Sequence, residues 1–288
     1  MITPPATNPS RDIPDAIKRI VRQRCGFGCV ICGVPLYEFD HMETWAKEQE
    51  HDANNITLLC DQHHKEKTNK WLPLETVKLA NKNPHNKTVL VSPWYKLHLN
   101  GETFSVQLGS NTFFASKGQL TVIRIDDLDL LSFKQVDGRF LMTMALFDDD
   151  DHFVATIIDN QLMFGTEQWD VKVEGTRLQF RRKLGDIFLD IEFAPPSKVI
   201  IRKAIFKHQG LKVVVVESAV GIPQCNTILS HSEFTDVSVG IGIGPDHLQR
   251  RASVPFPHPS RVAILDETAV SWTNRQIKAH AVPPVRPT

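Results

Sequence analysis

Two short-spaced pairs of soft metal ligands most constrain how the first quarter of this chain can fold. Cys29 and Cys32 form a C-x2-C pair, and Cys60 with His63 forms a C-x2-H pair after a longer loop. Two such pairs are the usual sequence pattern of a tetrahedral zinc site. The alternative, unrelated core cysteines, requires four soft ligands to pair this way by chance. The pattern therefore predicts a structural zinc, which would supply folding energy to a segment too small to bury a sufficient core.

Two details of the zinc site stay open at the level of sequence. Cys25 lies close enough to Cys29 to compete as a ligand, or it is simply buried. If residues 60–68 are helical, His63 and His64 both lie on roughly the same side as Cys60, but adjacent helical positions diverge by about 100°. One histidine can therefore face the zinc while the other faces elsewhere, and spacing does not say which.

Composition sets broad limits on the class of protein. The chain has 288 residues, 41% of them hydrophobic, and equal numbers of acidic and basic residues. Its length favours one large domain or two unequal ones, and zero net charge gives no global bias toward nucleic acid or membrane. No apolar run approaches the ~20 residues of a membrane span, and no signal peptide pattern is present. We expect a cytoplasmic protein without a membrane partner, in which cysteines stay reduced and bind metal.

The character of the sequence changes after about residue 88, which predicts an α+β chain of two parts. Helices are predicted at 14–24 and 73–82, around the Cys/His-rich stretch. The predicted organisation is a flexible leader at 1–10, a zinc-stabilised domain at 11–82, a linker at 83–87, an all-β domain at 88–244 and a Pro-rich tail at 245–288.

Alternation of apolar and polar residues identifies the second part as β. In 169–174, Trp169, Val171 and Val173 fall on one predicted face, and Asp170, Lys172 and Glu174 fall on the other. Short strands at regular spacing, with glycines ahead of them, favour an antiparallel sandwich or barrel, and a β-solenoid is the alternative. The basic stretches 177–183 and 198–212 could contact a nucleic-acid backbone, although a solvated strand face is the more common origin of such charges.

The residues between and after the zinc pairs resemble the HNH endonuclease family in its cysteine-containing ββα-metal, treble-clef-like form. The resemblance covers about residues 22–72. Its matching positions are Cys29, Cys32, Asp40, His41, Asn55, Cys60, His63, His64, Lys67 and Thr68.

The resemblance implies a role for each matching residue. Cys29, Cys32, Cys60 and His63 would bind the structural zinc. Asp40 and His64 would bind a catalytic divalent ion, Mg²⁺ or a substitute such as Mn²⁺, Ni²⁺ or Zn²⁺. His41 would be the general base that activates water, and Asn55 would orient His41 or brace its loop.

These residue types suit phosphodiester hydrolysis. A neutral imidazole with a pKa of ~6.5 can accept a proton from water at physiological pH. One ion held by a carboxylate and an imidazole can bind the scissile phosphate and stabilise the leaving oxygen.

Some positions depart from the family pattern. The glycine pair often found between the Asp-His dipeptide and the asparagine is absent from 42–54, so the substrate-binding loop is expected to differ. His51 is extra, and is interpreted as a solvated loop residue, with a phosphate or metal contact as the alternative. Asn54 could take the bracing role, but the register before Cys60 favours Asn55.

The sequence therefore predicts a metal-dependent HNH endonuclease acting on DNA, with a β domain for targeting, regulation or assembly. Restriction or anti-phage defence in bacteria is one setting for such a protein. The competing class is a zinc-dependent nucleic-acid-binding or scaffold protein without catalysis. A homo-oligomer, or an unidentified ligand or protein partner of the β domain, would be compatible with the sequence.

Overall fold

The computed structural model describes residues 12–43, 51–101, 103–115, 118–126, 128–148, 152–235 and 237–244. The chain divides into two compact units. The N-terminal unit comprises Met1–Pro93 together with Thr166–Lys172, and the β unit comprises Trp94–Gly165 together with Val173–Thr288. The predicted leader at 1–10 and tail at 245–288 lie outside the described residues.

The N-terminal unit combines short helices with a two-stranded hairpin. Its helices are Asp15–Cys25 (α1), Asp61–Thr68 (α2), Leu74–Lys82 (α3) and His85–Val89 (α4), and its strands are Glu38–His41 (β1) and Ile56–Leu59 (β2). The strands pair antiparallel, with Asp40 opposite Thr57 and His41 opposite Ile56. Together β1, β2 and α2 form a ββα arrangement.

Local sequence explains where α1 begins and ends. Pro14 precedes the first turn with an extended backbone, and Asp15 lies in that turn, where its charge is favourable. Arg22 and Arg24 occupy the last turn, and Gly26 ends the helix in the left-handed conformation at φ 70°. The predicted helix at 14–24 therefore matches α1 within one residue at each end.

The core of the N-terminal unit is small. All four residues of β2 are buried, and they pack with one face of α1 and with the first cysteine pair. The buried cluster consists of Val21, Cys25, Cys29, Val30, Met42, Ile56, Leu58, Leu59 and Val77.

The segment predicted as a linker at 83–87 has a different structure. Residues 85–89 form helix α4, and Asn86 is completely buried within the N-terminal unit. Its side-chain amide donates hydrogen bonds of 2.9 Å to the carbonyl oxygens of Gly26 and Gly33. The polar, proline-containing composition suggested an exposed connection, but the asparagine satisfies buried backbone carbonyls instead.

The β unit consists of many short strands. They are Tyr95–Lys96 (β3), Phe104–Leu108 (β4), Asn111–Ala115 (β5), Gln119–Ile125 (β6), Leu128–Val136 (β7), Arg139–Phe147 (β8), Phe153–Ile158 (β9), Gln161–Phe164 (β10), Asp170–Glu174 (β11), Arg177–Lys183 (β12), Asp186–Ala194 (β13), Lys198–His208 (β14), Leu211–Val216 (β15), Ala219–Ile222 (β16), Thr227–Leu229 (β17), Glu233–Thr235 (β18) and Val239–Ile243 (β19). Strand β11 begins in the segment that belongs to the N-terminal unit.

The described strands form two large sheets. One has the order β19-β6-β7-β8-β9-β10-β3, and the other follows β11 to β17 in sequence order, with β4, β5 and β18 joined at β14. Strands β6 to β10 pair antiparallel with their sequence neighbours, as do β12 to β17. Parallel pairs occur where β4 meets β14, β18 meets β5 and β19 meets β6.

Aromatic side chains fill the interior of the β unit. The ring of Phe104 on β4 lies 4.5 Å from that of Phe133 on β7 and 4.9 Å from that of Phe140 on β8, centroid to centroid. The two sheets therefore share a core, which agrees with the predicted all-β domain. The antiparallel order of neighbouring strands is sandwich-like, and the solenoid alternative is not confirmed.

One residue of the predicted strand at 169–174 was assigned to the wrong face. Asp170 is completely buried within the N-terminal unit, whereas Lys172, predicted on the same face, is half-buried and Glu174 is exposed. Its carboxylate accepts two hydrogen bonds from the Arg22 guanidinium, at 2.9 and 2.8 Å. Alternation fails here because a distant arginine compensates the burial of the charge.

Candidate metal centres

The two ligand pairs predicted from spacing converge on one point. One ligand atom from each of Cys29, Cys32, Cys60 and His63 lies within 4.8 Å of all the others. The Sγ atoms of Cys32 and Cys60 are 3.7 Å apart, and His63 Nδ1 lies 3.4 Å from Cys29 Sγ and 3.2 Å from Cys60 Sγ. A zinc tetrahedron with ordinary bond lengths has S–S and S–N edges of about 3.8 and 3.6 Å. The cluster is therefore compatible with zinc binding.

Glycine geometry shapes the loop that holds the first cysteine pair. The Cys29 amide donates to Val34 O, and the Gly33 amide donates back to Cys29 O, which closes the loop. Gly33 has φ +77°, and a Cβ there would lie 2.1 Å from Asn86 Oδ1. Buried Asn86 therefore occupies the space beside this loop, and only glycine fits against it.

The cluster favours a thiolate before any ion binds. The hydrogen bond from Cys32 lowers the pKa of Cys29 to about 4, against the opposing effect of burial, and backbone amides contribute further. The same hydrogen bond raises the pKa of Cys32, because the two sulfurs share one proton. Thiolate is the form that binds a metal ion.

Cys25 lies apart from this cluster. It is fully buried, and its Sγ is 3.7 Å from Asn81 Oδ1. Burial raises the pKa of the Cys25 thiol, so the thiol stays protonated. Of the two alternatives for Cys25, the structure favours a buried core residue over a fourth sulfur ligand.

Helix α2 separates the two adjacent histidines. His63 directs Nδ1 at the cysteines, whereas His64 directs its ring at strand β1. His64 Nε2 lies 3.4 Å from Asp40 Oδ1, and His64 Nδ1 lies 3.1 Å from Glu38 Oε2. The ambiguity left by the sequence is thus settled by the turn of the helix.

Asp40 also contacts a lysine from the same helix. Lys67 Nζ donates to Asp40 Oδ2 at 2.5 Å and to the main-chain carbonyl of His41 at 2.6 Å. Asp40 is nearly buried, with its side chain 10% exposed, whereas the His64 side chain is 38% exposed. Asp40 Oδ1 and His64 Nε2 therefore face each other at an accessible position.

Asn55 and His41 lie at the loop end of the hairpin. Asn55 Oδ1 accepts a hydrogen bond of 2.8 Å from the Glu43 amide, and Asn55 Nδ2 donates to the Glu43 carbonyl at 3.2 Å. The Met42 amide donates to Asn55 O at 2.8 Å. These bonds tie the chain just after His41 to the start of β2.

The other loop residues weighed from the sequence have separate contacts. Asn54 bonds to Asp52, through both its backbone amide and its side chain, rather than to the loop after His41. The ring of His51 lies 5.6 Å from that of His41, centroid to centroid. His51 is therefore closer to the candidate site than its interpretation as a solvated residue implied. Residues 44–50, where the family glycines are absent, lie outside the described residues.

Sequence reasoning missed Glu38 and Asn86. Glu38 lies two residues before Asp40 on a strand, so a period of two places both carboxylates on the same face. That signal was present in the sequence. Nothing local indicated the role of Asn86, because the carbonyl oxygens it binds lie more than fifty residues earlier in the chain.

Three arginines in the basic stretches of the β unit pair with carboxylates. Arg177 makes two bonds to Asp190, at 2.7 and 2.5 Å, and Arg202 lies 2.5 Å from Glu192. Arg182 lies 3.2 Å from Asp186. These pairs neutralise three of the nine Lys and Arg charges in the stretches that suggested a nucleic-acid surface there.

Comparison with known proteins agrees with this geometry. Residues 23–70 match the model of the HNH family, described as HNH endonuclease. No curated protein and no solved structure matches the chain. The predicted resemblance of the N-terminal unit is thus confirmed, and the family match does not extend into the β unit. No helix among the described residues is long and apolar enough to cross a membrane.

Proposed function

We propose that the protein is a metal-dependent endonuclease that hydrolyses phosphodiester bonds of DNA. The strongest support comes from the HNH match at residues 23–70. Within the matched residues, Asp40 Oδ1 and His64 Nε2 face each other at 3.4 Å. Two adjacent ligand atoms of one octahedral Mg²⁺ ion lie about 3 Å apart. The carboxylate oxygen is a donor that suits Mg²⁺ or Mn²⁺, and the imidazole nitrogen is a donor that suits Ni²⁺ or Zn²⁺.

Asp40 and His64 would hold the catalytic ion, and Cys29, Cys32, Cys60 and His63 would hold a structural zinc. When bound, the catalytic ion would supply positive charge that stabilises the scissile phosphate and the leaving oxygen. Lys67 keeps the Asp40 carboxylate in a fixed orientation, which leaves Oδ1 facing His64.

His41 would act as the general base. It lies at the end of β1 next to Asp40, and Lys67 fixes its main-chain carbonyl. The Asn55 amide holds the backbone of Glu43, two residues further on, which supports a bracing role rather than a direct bond to the imidazole. His41 would take the proton of the attacking water on its ring.

The β unit would serve targeting, regulation or assembly. Among the described residues, the four-ligand Cys/His cluster and the Asp40–His64 pair both lie in the N-terminal unit. We therefore assign the chemistry to the N-terminal unit alone. A setting in bacterial defence and a cytoplasmic location are compatible with this proposal.

The test is cleavage of supercoiled plasmid and of single-stranded DNA with Mg²⁺ or Mn²⁺, by wild type and by His41→Ala. We expect nicking by wild type and a loss of about 10²–10⁴-fold in the variant. Zinc content is measured in both proteins, and His98→Ala, an exposed histidine of the β unit, serves as the matched control.

Each outcome decides one part of the proposal. Cleavage unchanged in a zinc-loaded His41→Ala protein would show that His41 is not the base. A wild type that binds DNA but does not cut it with either ion would favour the competing class, a zinc-dependent nucleic-acid-binding protein.

A further inference from the structure

His64 has a carboxylate beside each of its ring nitrogens. Asp40 Oδ1 lies 3.4 Å from Nε2, and Glu38 Oε2 lies 3.1 Å from Nδ1. Both acids come from β1, two residues apart, so the pleat of the strand directs both side chains to one face. The imidazole is thus held between two acids of one rigid strand.

The two acids are not equivalent. Asp40 is nearly buried, and its second oxygen is bound to Lys67 at 2.5 Å. Glu38 is 58% exposed, and its oxygen contacts the ring nitrogen on the other side from Asp40. Asp40 can therefore share an ion with His64 Nε2, whereas Glu38 contacts the nitrogen that does not face that ion.

The chemistry of imidazole gives this arrangement a consequence. A ring nitrogen that binds a metal ion must lack a proton, so the neutral ring has its proton on the other nitrogen. That N–H needs an acceptor, and histidine ligands usually donate it to a carboxylate or a carbonyl, which fixes both tautomer and ring orientation. Glu38 Oε2 is the acceptor at hydrogen-bond distance from Nδ1.

We propose that Glu38 is a positioning residue, which accepts a hydrogen bond from His64 Nδ1 and thereby presents Nε2 to a divalent cation shared with Asp40. This inference rests on the proposed function, because it assumes an ion between Asp40 and His64. Glu38 is paired with Leu59 across the hairpin, which fixes its backbone beside β2. No matched position of the family resemblance includes Glu38.

The test is binding of Mn²⁺ alone, without DNA, measured by isothermal titration calorimetry at one fixed pH on zinc-loaded protein. Removing the partner of a metal-bound histidine typically weakens the metal site about 10–100-fold. We expect Glu38→Ala to weaken Mn²⁺ binding by about 10-fold, the low end, because Glu38 is half exposed. Glu38→Gln keeps an acceptor oxygen and should stay within about 3-fold of wild type.

Glu75→Ala is the matched control, because it removes the charge of another exposed glutamate of the same unit. Equal affinities for Glu38→Ala and Glu75→Ala would overturn the inference while leaving the nuclease proposal intact. Equal losses in Glu38→Ala and Glu38→Gln would also overturn it, because the charge, or direct ligation, would then be what matters. A wild type that binds no Mn²⁺ would overturn both proposals.

A spectroscopic measurement distinguishes positioning from a general effect on the fold. In the Mg²⁺-loaded protein, the His64 Nδ1–H proton should give a resolved imidazole signal, since its hydrogen bond to Glu38 slows exchange with water. We expect this signal to remain in Glu38→Gln and to be lost in Glu38→Ala, with zinc content unchanged in both. A signal that survives in Glu38→Ala would contradict the proposed bond.

Discussion

The two units differ in how their charged and polar side chains are grouped. In the N-terminal unit, ligands from separate elements converge, with Cys29, Cys32, Cys60 and His63 at one point and Asp40 facing His64 at another. In the β unit, opposite charges pair across neighbouring strands or within one strand connection, as in Arg177 with Asp190 and Arg182 with Asp186.

The contrast shows where chemistry can occur. Charges paired with each other already have their counterions, and a strand ladder places such pairs wherever acids and bases lie opposite each other. In the N-terminal unit, Asp40 pairs with Lys67 through one oxygen while its other oxygen faces His64, which leaves room for an ion. The number of charged residues in a segment therefore indicates a functional site less well than whether each charged side chain already has an oppositely charged neighbour.

The largest expected effect follows from zinc removal. Cys29→Ser should lose bound zinc and unfold the N-terminal unit, because metal binding to such sites contributes about 10 kcal/mol or more to folding. Amide hydrogen exchange should rise across α1, β2 and α2, while the strands β12 to β15 keep their protection.

Cys25→Ala provides the control for this experiment, since Cys25 is buried but lies outside the cluster. It should keep its zinc, measured by mass spectrometry. Protection that persists in a zinc-free Cys29→Ser protein would show that the small apolar core suffices on its own.

An intermediate effect is expected at the buried ion pair of the N-terminal unit. Arg22→Met leaves the Asp170 carboxylate without its arginine in a fully buried site, which should lower the free energy of unfolding by about 3–5 kcal/mol. The double variant with Asp170→Leu should recover most of that loss, because no buried charge remains. Chemical denaturation of the three proteins measures this, and a double variant as unstable as Arg22→Met would contradict the explanation.

The smallest expected effect is in the β unit. Burial opposes ionisation of Asp190, but hydrogen bonds from Arg177 and Gln179 outweigh it and lower its pKa below the ordinary value of 3.8. A carboxyl whose pKa is lower in the folded state stabilises the fold above its unfolded pKa, and the contribution is lost as pH falls through the folded value. Stability should therefore decline below about pH 4.

Arg177→Met should flatten that decline. Because Arg177 is 43% exposed, the difference should amount to about 0.2–1 kcal/mol at neutral pH. Urea unfolding between neutral and acid pH measures it. An unchanged acid slope in the variant would show that this pair is not what titrates.

Spacing predicted the parts of the site that depend on local sequence. The ligand pairs are each closed by one turn of chain, so spacing identified Cys29, Cys32 and Cys60, and left His63 and His64 as alternatives for the fourth ligand. Helix geometry predicts that the side chains of His63 and His64 diverge, but which of them faces the cysteines depends on the position of β1. The alternation of strands in the β unit predicted its class, but not which strands pair in parallel.

The remaining features depend on partners far apart in sequence. Asp170 was expected on a solvent face, and its burial makes sense only with Arg22 beside it. Asn86 lies in a segment of linker-like composition, and its structural role is to donate hydrogen bonds to the carbonyl oxygens of Gly26 and Gly33. No period or local motif encodes such pairings, since either residue alone is compatible with an exposed position.

The Arg22–Asp170 pair has a consequence for how this nuclease-like module can be inherited or transplanted. Residues 23–70 match the family, yet the compact unit that contains them extends to Pro93 and includes Thr166–Lys172. An excised gene fragment encoding only the start of the chain would leave an arginine with no counterion and lose hydrogen bonds from Gln23 and Thr166. Transfer of one contiguous gene segment would therefore not transfer the whole module. Its exchange between proteins would require the segment Thr166–Lys172 as well.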